Sequence, residues 1–171
     1  MDKALLAWTV AFGGWAVAII QYYLAYRERR QQREEDLLAK TLSYFEGNTQ
    51  RRSIGISMVE GIWARKGKHM DVLVPVMLNQ AIYLLLSSDP TDGVHEERNL
   101  VRLYFLLKRC IPKTSDPGDY YPEILNALLR KDPEEKRNGI PLSGPTLRLW
   151  FAGLGGDVEQ YDAEQSPARN T

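Results

Sequence analysis

The sequence predicts an all-α protein: an N-terminal transmembrane helix continuing into a charged connector, then a small all-helical domain. Three observations carry this. Residues 4–26 contain no charged side chain. Further along, apolar residues recur every three or four positions, the spacing that collects on one face of a helix. No convincing run of alternating apolar and polar residues appears. The expected divisions are 1–26 as anchor, 27–48 as connector, 49–156 as helical domain and 157–171 as a disordered tail.

The stretch from Ala4 to Tyr26 is 23 residues long, and Gln21 is its one strongly polar side chain. At about 1.5 Å per residue such a helix reaches roughly 34 Å, enough for a hydrocarbon core of about 30 Å with some tilt. Trp8 near one end and Tyr22, Tyr23 and Tyr26 near the other suit the headgroup zone, where a ring stays apolar while its polar atom meets water. A cleaved signal peptide competes, since Lys3 precedes the run and Ala16-Val17-Ala18 has the small-x-small form of a cleavage site. Cutting there would leave Ile19-Ile20-Gln21-Tyr22-Tyr23-Leu24 as a hydrophobic new terminus. A buried core helix competes less well, because a domain this small seldom needs 23 uncharged residues for one.

The flanks set an orientation. Arg27, Arg29, Arg30 and Arg33 follow the stretch, whereas Lys3 alone precedes it. Cationic flanks remain on the cytoplasmic side, so the expected location is the cell membrane, single-pass, with the N-terminus outside and the C-terminal domain cytoplasmic. Ala4, Ala7, Ala11, Gly14, Ala18, Gln21 and Ala25 succeed one another at steps of three and four, forming one helical stripe. In lipid, small residues permit close backbone approach and an amide can bond its copy, so this seam is expected to support a homodimer.

The connector from Arg27 to Asp36 reads RERRQQREED, without proline or glycine, and can continue the helix. Leu38, Leu42 and Phe45 keep the helical interval until Gly47-Asn48. Thr49 is a suitable amino cap for a helix over 50–64, whose Ile54, Met58 and Ile62, with Val59 and Trp63 alongside, give an apolar face. Gly55 and Gly61 each cost about 1 kcal/mol against Ala inside a helix, which suggests a close neighbour or a kink. Residues 72–86 are apolar on nearly every side, so that helix is expected to be buried, with Pro75 in its first turn. A turn at 88–93 precedes a helix from about His95 to Cys110, with Leu100, Leu103, Tyr104 and Leu107 on one face. Shorter helices are expected from Pro122, with Ile124, Leu125, Leu128 and Leu129, and from Pro145, with Leu147, Trp150, Phe151 and Leu154.

Three stretches carry a resemblance: EGNTQRRSIGISMVEGIW at Glu46–Trp63, LVPVMLNQAIYLLL at Leu73–Leu86 and HEERNLVRLYFLL at His95–Leu107. Together they resemble a HEAT or armadillo-type unit, and more narrowly the helical domains of uncharacterised bacterial single-pass membrane proteins. The resemblance covers about 60 residues and supplies one repeat and part of another, whereas a solenoid needs about three. It implies a scaffold or binding surface and transfers no catalytic residue; a plain three-helix bundle is the alternative.

The motifs of familiar chemistry are missing. His95-Glu96-Glu97-Arg98-Asn99 starts like a zinc-protease helix, but Asn99 stands where the second imidazole is required. Cys110 is the one cysteine, which excludes a disulfide framework. Gly153-Leu154-Gly155-Gly156 lacks the preceding strand and following lysine of a phosphate loop. No catalytic, cofactor or metal site is therefore assigned. With 22 Lys and Arg against 22 Asp and Glu, no nucleic-acid partner is expected, since displacing phosphate counterions needs excess cation.

Charge is nonetheless unevenly placed. Lys40, Arg51, Arg52, Arg65, Lys66 and Lys68 face only Glu46 and Glu60 across 37–70. Arg51, Arg52, Arg65, Lys66 and Lys68 are thus a candidate basic contact surface for anionic lipid or an acidic protein. The functional expectation is a membrane-anchored helical interaction or scaffold module, self-associating through its span and binding an unknown protein partner. The alternative is a membrane-associated enzyme or toxin-like effector using Glu60, His69 or Cys110. A third is a small subunit of a membrane complex.

Overall fold

A computed structural model describes residues 3–87, 93–131 and 139–165, with side chains from residue 14 onward. Among the described residues every regular element is helical and there is no strand: α1 (Lys3–Phe45), α2 (Thr49–Met58), a π turn (Val59–Trp63), α3 (Ala64–Lys66), α4 (Met70–Leu86), α5 (Gly93–Cys110), a 3-10 turn (Ile111–Lys113), α6 (Tyr120–Arg130), α7 (Gly144–Gly153) and α8 (Val158–Glu164). The all-α expectation is met. Contacts divide the chain into two units, 1–40 and 41–171.

The first unit is helix alone. Every residue from Gly14 to Leu24 is exposed, and the charged stretch that follows is exposed almost throughout. Among the described residues, no helix is long and apolar enough to cross a membrane. Residues 4–13, the first ten of the uncharged stretch, lie outside the described side chains.

The second unit begins with the last residues of α1. Phe45 is buried against Gly55, whose missing Cβ would lie 3.2 Å from the ring and 3.2 Å from Tyr44 Cβ. This is the close neighbour that the glycine implied. Gly61 has no such neighbour and lies in the π turn instead. Trp63 Nε1 donates to Thr41 Oγ1 at 3.0 Å, both side chains being fully buried. Asn48, rather than Thr49, caps α2: its Oδ1 accepts from Arg51 N at 3.1 Å. Gly67, at φ 64°, closes α3 in a left-handed conformation that costs glycine nothing, and Lys113 Nζ donates to the Ala64 carbonyl.

Helix α4 packs against both α5 and α6, α2 lies on α5, and α7 and α8 continue from α6. Side chains from α4, α5, α6 and α7 surround one apolar void of about 10 Å³. Trp150 of α7 stacks on Tyr104 of α5, centroids 4.5 Å apart. The carboxyl end of α4 is closed from outside the helix: Ile140 N donates to the Leu84 carbonyl and Lys131 Nζ, itself buried, to that of Leu85.

Three expectations are corrected. Helix α4 is not buried on all sides, since Val72, Asn79, Tyr83 and Leu86 form an exposed strip. It starts at Met70, so Pro75 stands beyond the first turn. Residues 157–165, expected to be disordered, include α8. Asp157 caps it by accepting from Glu159 N, Tyr161 buries itself beside Phe151, and Arg148 grips Asp162 through two bonds of 2.7 Å. The buried Tyr161 ring, with the exposed ion pair and a hydrogen bond from Gln165 Nε2 to the Leu129 carbonyl at 2.8 Å, thus ties down a segment poor in apolar residues. The remainder of the expected tail, 166–171, and most of the turn at 88–93 lie outside the described residues.

Candidate interaction site

In the first unit, the distinguishing feature is exposed apolar surface. Trp15 is 72% exposed, Ile20 59% and Tyr22 75%. Gly14, Ala18 and Gln21 of the proposed seam are exposed and Ala25 is half-buried; the side chains of Ala4, Ala7 and Ala11 lie outside the description. Arg27, Arg29, Arg30 and Arg33 are exposed after them. Consecutive exposed residues point in all directions around a helix, so Trp15–Leu24 has no polar face apart from Gln21.

In the second unit, the distinguishing feature lies between α2 and α5. Two hydrogen-bonded clusters hold these helices together. The inner one is buried: Arg52 pairs with Glu96 and donates Nε to Gln80 Oε1 at 2.9 Å, while Glu96 also accepts from Thr49 Oγ1 at 2.8 Å and Asn99 Nδ2 at 3.3 Å. The outer cluster centres on Arg102, which donates to Glu60 Oε2 at 2.6 Å, Ser57 Oγ at 2.9 Å and Ser53 Oγ at 3.2 Å. Among the described residues every buried side-chain nitrogen and oxygen has a partner.

Beside these clusters runs a groove of about 790 Å³, lined by Ile54, Met58 and Ile62 on one wall and by His95, Arg98 and Asn99 on the other, with Ser53 and Ser57 also lining it. A second hollow of about 380 Å³ shares Ser57 and is lined by Glu60, Gly61, Arg65, Phe105 and Arg109. Helical spacing alone makes Ile54, Met58 and Ile62 look like core. They are instead displaced from it because Arg52, Ile56, Val59 and Trp63 take the buried side. The expected basic surface is revised accordingly. Arg51, Arg65, Lys66 and Lys68 are exposed, but Arg52 is buried in its ion pair. Arg98 and Arg109 of α5 are exposed as well, whereas Arg102 is half-buried in its pair with Glu60.

The residues of the alternative enzymatic reading are spread apart. Glu60 is held by Arg102 and borders the second hollow, which neither His69 nor Cys110 lines. His69 is half-buried at φ 57°, its ring edge-on to Trp63 with centroids 5.1 Å apart. Cys110 is fully buried, and that burial pushes its thiol pKa up, away from the reactive thiolate, despite Arg109 and Lys113 nearby. Among the described residues no group of three or more His, Cys, Asp or Glu side chains is placed to hold a metal ion.

No protein family, curated protein or solved structure matches this chain.

Proposed function

We propose that this protein is a membrane-anchored helical interaction module, held by the apolar half of α1 in the cell membrane and presenting the domain from Thr41 onward to a protein partner on the cytoplasmic side. The observation that carries the anchor is the run of exposed apolar side chains from Trp15 to Leu24, adjoining the uncharged residues 4–13. Water penalises such surface at about 25 cal/mol per Å², and a helix apolar all round has no face on which to float at an interface. Immersion in lipid removes the penalty, and Arg27, Arg29, Arg30 and Arg33 then supply the cytoplasmic flank. The observation that supports binding is the groove between α2 and α5, whose apolar wall is open in part, Ile54 being exposed and Met58 and Ile62 half-buried.

The full chain is expected to sediment with membranes after carbonate extraction, and Ile20→Lys with Val17→Lys should release it. Recovery of the unaltered, uncleaved chain in the supernatant would remove the anchor. The seam through Gly14, Ala18 and Gln21 is proposed to pair with a second copy, since small residues at helical steps let two backbones approach in lipid and an amide can bond its copy. Gly14→Ile with Ala18→Ile should abolish self-association in a membrane two-hybrid assay.

A further inference from the structure

We propose that the α2–α5 groove receives an acidic amphipathic helix from the partner; this rests on reading the domain as an interaction module and adds the chemistry of what it binds. The apolar wall comes first. Ile54, Met58 and Ile62 stand at i, i+4 and i+8 along α2 and the π turn, a row of about two turns. An open row of this kind beside a polar wall is the arrangement into which an amphipathic helix lays its own i, i+4 and i+7 anchors. The path continues past Ser57 into the second hollow, where Phe105 is 62% exposed.

Charge then selects the occupant. Arg98 lines the groove with His95, and Arg65 and Arg109 line the hollow; all three arginines are exposed. Among the described residues Glu60 is the one carboxylate lining either cavity, and Arg102 pairs with it. An incoming segment therefore meets cations along its flanks while its apolar face meets Ile54, Met58 and Ile62. The chain as a whole has equal numbers of acidic and basic residues, so this preference is local to the groove. An anionic membrane surface offers the same charge but not the same shape. A flat headgroup layer cannot enter a concave site whose walls Arg102 ties together, whereas a helix can.

The geometry is also prepared in advance. Arg102 bridges α5 to Ser53, Ser57 and Glu60, and the buried Arg52–Glu96 pair fastens the same two helices one layer deeper. Less ordering is then required when the partner arrives. The π turn adds to this, because such turns interrupt helices where function requires an altered surface, and here Glu60 and Gly61 of the turn line the hollow.

The test uses the full chain in a zwitterionic detergent and two labelled synthetic helical peptides with one leucine stripe, flanked by glutamate in one and lysine in the other. Fluorescence anisotropy should show the acidic peptide binding at least about tenfold more tightly, with the difference shrinking at high salt. Arg65→Glu with Arg98→Glu should remove that preference, and Met58→Asp should weaken the acidic peptide while thermal unfolding stays within a few degrees of the parent. Equal binding of the two peptides, indifference to these variants, or displacement of the acidic peptide by vesicles of 70% phosphatidylcholine and 30% phosphatidylserine would overturn the proposal. A photo-crosslinking residue at Ile54 in cells separates the two levels of inference. Crosslinks to a non-acidic segment, or to a second copy of this chain, overturn the acidic helix and leave the interaction module standing. No crosslink there overturns both.

Discussion

At the scale of single residues, the groups that decide most are polar and enclosed. Arg52 and Glu96 are each below a tenth exposed, and each depends on the other, with Gln80, Thr49 and Asn99 completing their hydrogen bonds. Removing one charge strands its partner where water cannot reach it, a loss of about 3–5 kcal/mol. Glu96→Ala should therefore lower stability by about that amount, measured by urea unfolding, whereas Arg52→Met with Glu96→Leu should recover at least half of it. Sequence inspection placed Arg52 on the surface because Arg51 and Arg52 are adjacent and equally cationic. Only the partner 44 positions later distinguishes them, and no local pattern announces it. Asp71 shows the exposed counterpart. It accepts from Thr114 Oγ1, Ser115 N and Ser115 Oγ, and the Thr114 hydroxyl first, then Ser115, hold its carboxyl below the usual 3.8. A depressed folded-state value means the stabilisation is present above the unfolded pKa, near 4, and is lost as pH falls through the folded value. Stability measured from about pH 5 down to pH 3 should fall less steeply in Asp71→Asn than in the parent.

At the scale of elements, the α2–π turn segment shows what spacing reveals and what it hides. Helix existence was legible: α2, α4, α5, α6 and α7 all lie where apolar periodicity and turn residues put them, within a few positions. The π turn was not, because Val59, Glu60, Gly61, Ile62 and Trp63 would satisfy an ordinary helix equally well. Nor was α8 legible, since one buried tyrosine and one ion pair carry it. The two glycines of the segment looked alike in sequence, yet they should respond in opposite directions. A Cβ on Gly55 falls 3.2 Å from both Phe45 and Tyr44 Cβ, and the latter is tied to its backbone. Gly55→Ala should therefore cost about 1–2 kcal/mol as overpacking. A Cβ on Gly61 enters open space, so Gly61→Ala should gain about 0.5–1 kcal/mol by narrowing the unfolded ensemble. Thermal melts of the two single variants against the parent measure both signs in one experiment.

At the scale of the whole molecule, the helix that is longest by sequence belongs to two units. Its change of character was visible as the step from uncharged to charged residues at Arg27, but the boundary falls after Lys40, because Thr41 and Phe45 are already core of the second unit. The reason lies in partners distant in sequence, Trp63 for Thr41 and Gly55 for Phe45, which composition does not display. The groove was half legible for a related reason. Its apolar wall, Ile54, Met58 and Ile62, was evident as a helix face, but its outward direction followed only once Arg52, Ile56, Val59 and Trp63 had claimed the inward one. Truncation separates the two units experimentally. A chain beginning at Thr41 keeps the Thr41 hydroxyl and the Phe45 ring and is the reference for the next cut. A chain beginning at Gly47 loses the Phe45 ring from a fully enclosed site and leaves the Trp63 N–H without its threonine acceptor. Emptying a buried phenylalanine site costs about 3–5 kcal/mol, so six further residues should shift the transition sharply. Equal midpoints for both truncations would mean that the end of α1 contributes nothing to the second unit and that the core begins at Asn48.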